Sequence, residues 1–85
     1  MNVYLLTQKE VLGWDTYDSA VVIAESSIIA ARMHPSDGVV MSDNEFKNVS
    51  RVSTWATHPS QVGVELIGVS SQSGRRVVCA SFNAG

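Results

Sequence analysis

Apolar and polar positions along the chain sort into four short strand patterns and one helical pattern. Residues 3–8, VYLLTQ, form a β-branched, aromatic and aliphatic run that reads as a first strand. Residues 9–17 lose that pattern and gain Gly13, Trp14 and Asp15, which predicts a long hairpin loop with an aromatic tip. In residues 19–25, SAVVIAE, Val21 and Ile23 alternate to one side and Ala20, Val22 and Ala24 to the other. Both faces of this second strand are apolar, so it requires cover on both sides.

A helix follows directly. Ser26 or Ser27 can accept from the unpaired N–H groups of a first turn, and Ile28, Ala31 and Arg32 share one side while Ile29 and Met33 share its neighbour. The spacing predicts an amphipathic helix of about two turns that stops where Pro35 disfavours helical geometry at His34. Ser36, Asp37 and Gly38 supply the exit turn. Residues 39–54, VVMSDNEFKNVSRVST, mix periods and read as an irregular insertion, with a short strand at 39–41 and a turn at 42–44 as options. Beyond Trp55, Pro59 suits the first position of a single helical turn. Residues 64–70, VELIGVS, alternate as a third strand, and residues 75–82, RRVVCASF, as a fourth that pairs back on the third across the polar turn at 71–74.

The order ββαββ predicts one α+β domain over residues 1–85, a small antiparallel or mixed four-stranded sheet with one short helix on one face. One such helix cannot cover four strands. The uncovered face is therefore expected to meet another copy of the chain, giving a homodimer or higher oligomer.

Composition sharpens this. With 85 residues the chain buries one small core, and 45% apolar against 16% charged residues is charge-poor for a small monomer. A net charge of −2 argues against a DNA- or RNA-polymer binder. The single Cys79 rules out an internal disulfide framework and fits a reducing compartment; within an alternating strand it is expected to be a small core hydrophobe. Residues 2–6 lack the pattern of a signal peptide, and no run approaches the ~20 apolar residues of a membrane span, so a soluble cytoplasmic protein is expected.

Candidate chemistry is sparse. His34 and His58 each precede a proline, but no close ligand pairs accompany them or Asp37, so exposed turn histidines are expected and no metal site. Asp15 and Asp18, near Glu10, read as solvated turn formers, and no Gly-x-Ser-x-Gly elbow is present. Neither a catalytic residue nor a cofactor is expected. Arg75 and Arg76 offer a bidentate phosphate or carboxylate clamp or a solubilising edge. Trp14, Tyr17 and Trp55 are either contact residues for a partner or a stacked base, or plugs at the sheet ends.

The stretches LLTQ (5–8), DTYDS (15–19), AES (24–26), Ala31-Arg32 with His34-Pro35, and ASFNAG (80–85) resemble small accessory proteins encoded by phages and prophages, over most of the chain except residues 39–53. The resemblance implies a host-takeover or counter-defence factor in the cytoplasm of an infected bacterium, acting by binding and not by turnover. Its target would be a host defence protein or a small signalling nucleotide, with Trp14, Asp15, Tyr17, His34, Asp37, Trp55, Arg75 and Arg76 as candidate contacts. A phage structural or assembly module is the alternative, and a small enzyme the reading least favoured.

Overall fold

The two strands nearest the N-terminus, β1 (Asn2–Thr7) and β2 (Thr16–Ala24), form the centre of a four-stranded sheet in the computed structural model, which describes residues 1–11 and 13–83. Leu12, inside the aromatic loop, and Ala84 and Gly85, which close the ASFNAG stretch, lie outside the described residues. The flanking strands are β3 (Gly63–Val69) and β4 (Arg76–Asn83), in the order β3-β1-β2-β4, with all pairs antiparallel.

The expected hairpin of the last two strands is not formed: β3 and β4 lie at opposite edges. The polar residues 70–75, which resemble a hairpin turn, instead carry the chain across the end of β1 and β2. The Ser70 N–H donates to the Met1 carbonyl at 2.8 Å, and Arg75 pairs with Glu25 at 3.1 Å on the far side. The physical reason lies in β1 and β2 themselves. Apart from Thr7 and Asp18, their side chains are buried or half-buried on both faces, whereas β3 and β4 are largely exposed and suit edges.

Register fixes the two faces. Tyr4 pairs with Val22 and Leu6 with Ala20, all buried on one side. Val3 pairs with Ile23 and Leu5 with Val21 on the other. The helical layer covers only the first face. Its first helix, α1 (Ser27–Ala30), is one turn and not two, capped by the Ser26 hydroxyl, which accepts from the Ile29 N–H at 3.3 Å. The chain leaves it at once and folds back, with Met33 bridged to Val40.

The irregular stretch at 39–54 contributes to the core. It contains a 3-10 turn (Glu45–Lys47) and a second helix, α2 (Val49–Val52), and it places Met41, Phe46 and Val52 in the same core as Leu6, Val22, Ala30, Met33 and Trp55. A further 3-10 turn (Pro59–Gln61) has proline at its start, as the sequence predicts. Among the described residues no helix is long and apolar enough to cross a membrane.

Candidate functional site

On either side of Leu12, the loop between β1 and β2 is bonded by side chains at strand ends. The Gln8 side chain, buried beneath it, donates from Nε2 to the carbonyls of Val11 (2.6 Å) and Tyr17 (2.8 Å) and accepts the Val11 N–H at Oε1 (2.7 Å). Thr16 Oγ1 and Asn83 Nδ2 both donate to the Gly13 carbonyl at 2.8 Å, and the Asp15 N–H donates to the Asn83 carbonyl. Gly13 (φ 114°) and Asp15 (φ 59°) take the positive φ values that turn the chain; glycine does so without steric cost and aspartate tolerates it. Between them Trp14 is 72% exposed. A large indole is thus presented to solvent from a hydrogen-bonded loop.

The remaining sequence candidates do not gather around Trp14. Tyr17 is half-buried, 4.7 Å from Phe82 between ring centroids and edge-on to His34 at 6.0 Å, so it joins β4 to the helical layer. Trp55 is fully buried in the core. Arg75 and Arg76 are exposed, and Arg76 pairs in register with Ile23, at the other end of β2 from Thr16. Seven residue steps separate these ends, about 23 Å at ~3.3 Å per residue. A single chain therefore does not bring the indoles and the arginine pair onto one ligand.

His34 is not the exposed turn residue that the sequence predicts; it is 2% exposed. Its Nδ1 accepts the Ser36 N–H at 3.1 Å, which leaves the proton on Nε2, 2.9 Å from the Arg51 carbonyl oxygen that accepts it. Burial holds its pKa below the usual histidine value, with the Arg51 carbonyl opposing. Asp37 is exposed and takes a two-pronged bond from Arg51 at 3.0 and 3.2 Å; the Arg51 guanidinium lowers its pKa. His58 repeats the His34 pattern on the surface: its Nδ1 also accepts the N–H of the serine two positions on, Ser60, at 3.1 Å. The repeated His-Pro-Ser triplet is a legible signal of this local cap. Its Nδ1 to serine-hydroxyl spacing, 2.8 Å in both copies, therefore belongs to turn geometry.

Cys79 is exposed, not core, because β4 is an uncovered edge. A cleft of about 430 Å³ lies against the helical layer, lined by Arg32, Asp43, Phe46, Lys47 and His58. Arg32 bonds Asp43 at 2.8 Å and lies 5.9 Å from the Phe46 ring centroid; its guanidinium lowers the Asp43 pKa. Among the described residues no group of three or more His, Cys, Asp or Glu side chains is placed to hold a metal. Gln8, Thr16 and Asn83, the residues that fix the aromatic loop, lie in the LLTQ, DTYDS and ASFNAG stretches, but nothing in their local pattern assigns them that role. No family model matches the chain, and no curated protein and no solved structure matches it.

Proposed function

We propose that this chain is a non-enzymatic, phage-type binding protein that neutralises a host factor in counter-defence, inside an infected bacterium. The observation that carries the binding role is Trp14, held 72% exposed by a loop whose backbone is bonded from Gln8, Thr16 and Asn83. Exposing an indole in this way is costly in water and useful at an interface, where tryptophan is enriched among the residues that dominate binding. The counter-defence role rests on the phage resemblance. Of the two target classes, a host protein is favoured over a small signalling nucleotide, because Trp55 is buried and Trp14 and Arg76 stand at opposite ends of β2.

The test is plating efficiency of phage on a panel of bacterial strains that each carry one anti-phage system, with and without the chain expressed. At least one system should be relieved by the chain and not by Trp14→Ala, while that variant keeps the parent melting temperature. Relief that survives Trp14→Ala in full overturns the anchor, and no relief on any strain overturns the counter-defence role.

A second reading is favoured by the uncovered apolar sheet face: a phage assembly module that builds a larger particle. Co-purification of the chain with virions in stoichiometric amount supports that reading over the first.

A further inference from the structure

The face of the sheet opposite the helical layer is organised in register rows. One row across the four strands is Glu65, Leu5, Val21 and Cys79; the next, two residues along the central strands and three along each edge strand, whose register shifts between the rows, is Gly68, Val3, Ile23 and Arg76. The two central strands therefore present half-buried Val3, Leu5 and Val21 and the already buried Ile23, while a negative charge, Glu65, stands on one edge strand and a positive charge, Arg76, on the other. No salt bridge or side-chain hydrogen bond engages Glu65 or Arg76 among the described residues, whereas Arg32, Arg51 and Arg75 are all paired. Three strand spacings separate Glu65 from Arg76 within the chain, about 14 Å at ~4.8 Å each, beyond reach of an ion pair.

We propose that this face is the interface of a face-to-face dimer of the chain, with Glu65 of each copy paired to Arg76 of the other. The complementarity follows from symmetry. A two-fold axis lying between the sheets and parallel to the strands places β3 of one copy over β4 of the other. Glu65 then lies over the edge that carries Arg76, offset by two residues, about 6.6 Å along the strand at ~3.3 Å per residue. Two long side chains span that offset and the ~10 Å gap between packed sheets. The same operation lays Leu5 and Val21 of one copy on Val21 and Leu5 of the other. Both charge pairs form at once, and neither copy meets a like charge.

An axis across the strands instead places β3 over β3 and leaves Glu65 facing its own symmetry mate, which costs free energy. The charges thus select one register from the two aligned packings. Each face projects about 19 Å by 20 Å, so the pleated surfaces of both copies together bury roughly 1,000 Å². That area lies at the weak end of specific interfaces, so association is weak and concentration-dependent. The dimer does not depend on the host-factor reading: it predicts a mass, whereas Trp14 predicts an activity.

The experiment is sedimentation equilibrium of the full chain from 5 to 300 µM in low salt, for the parent, Glu65→Arg, Arg76→Glu and the double exchange. The parent should move from a 9.2 kDa monomer towards twice that mass. Each single reversal should raise the dimer Kd at least tenfold, since it makes two like-charge contacts, and the double exchange should restore the Kd to within about threefold of the parent. Far-ultraviolet circular dichroism confirms that the variants fold, as expected for exposed edge positions. A parent that remains monomeric at 300 µM overturns the proposal. So does a dimer whose Kd ignores the single reversals, which would place the contact on a strand edge, and so does a double exchange no better than the singles.

Discussion

The Nε2 of His34 lies 2.9 Å from the carbonyl oxygen of Arg51, tying the turn after α1 to the C-terminal half of α2. The imidazole is neutral in this arrangement, because Nδ1 already accepts the Ser36 N–H. Burial lowers its pKa below 6.5, so the unfolded chain takes up a proton at a higher pH than the folded chain does. Stability from this group is complete above about pH 6.5 and falls as pH drops through that value towards the lowered folded value, by at most about 1.4 kcal/mol per pH unit. Asp37 acts in a separate window: its pKa is lowered from 3.8 by Arg51, so its contribution is lost only as pH falls below about 4. Urea denaturation from pH 8 to 5 should therefore show declining stability near pH 6. His34→Asn keeps an acceptor for the Ser36 N–H and should flatten the decline; an unchanged slope in that variant rules out His34 as its origin.

Trp55 is fully buried, yet its indole N–H has no acceptor among the described residues. An unpaired buried donor costs about 1–3 kcal/mol. Trp55→Phe removes both that donor and part of the packed ring, and the two effects oppose one another. The variant should unfold within about 1 kcal/mol of the parent, whereas Trp55→Ala should lose about 3–5 kcal/mol through its cavity. A loss above 2 kcal/mol for phenylalanine shows that the N–H does have a partner in solution.

Gly63 opens β3 opposite Thr7, and a Cβ there would stand 2.8 Å from Thr7 Oγ1. The position needs small size and not a positive φ. Gly63→Ala forces the threonine side chain to rotate and should cost about 1–2 kcal/mol, the range of modest overpacking. Thr7→Ala removes the obstructing hydroxyl, so the cost of Gly63→Ala measured in that background should shrink to a few tenths of a kcal/mol. A double-mutant cycle by thermal or urea denaturation reads this coupling; additive effects exclude the clash.

Much of the local structure was legible because local chemistry determines it. The Ser26 cap, the proline-led turn at 59–61 and the two-faced apolar strand at 19–25 each follow from side chains acting within a few residues of themselves. Strand order was not legible. Residues 70–75 have hairpin-turn composition, and only the demand of β1 and β2 for a neighbour on each side sends β4 to the far edge. His34 and Cys79 were misplaced for the same reason. A histidine before proline and a cysteine in an alternating strand have no intrinsic burial, and their exposure follows from which elements come to lie over them. Trp14 was legible as a candidate, because a loop gives an indole no core to enter. Its supports, Gln8 and Asn83, were hidden by their separation of 75 positions in the sequence.

The segment at 39–54 offers the sharpest contrast between sequence pattern and structural role. Its periods are mixed because a 3-10 turn, a single helical turn and an isolated bridge each orient side chains differently, so no one repeat describes it. Yet Met41 is fully buried and Phe46 nearly so, while Val49, eight residues after Met41, is 76% exposed. Met41→Ala should therefore destabilise the chain by about 2–5 kcal/mol through lost burial and the cavity left behind. Val49→Ala removes an exposed side chain at the start of α2, and alanine is the better helix former, so its effect should stay within about 0.5 kcal/mol of zero. Urea midpoints for the two variants, measured side by side, decide whether this stretch is part of the core. A core role requires a large loss for Met41 alone, and equal small effects would place residues 39–54 outside the core.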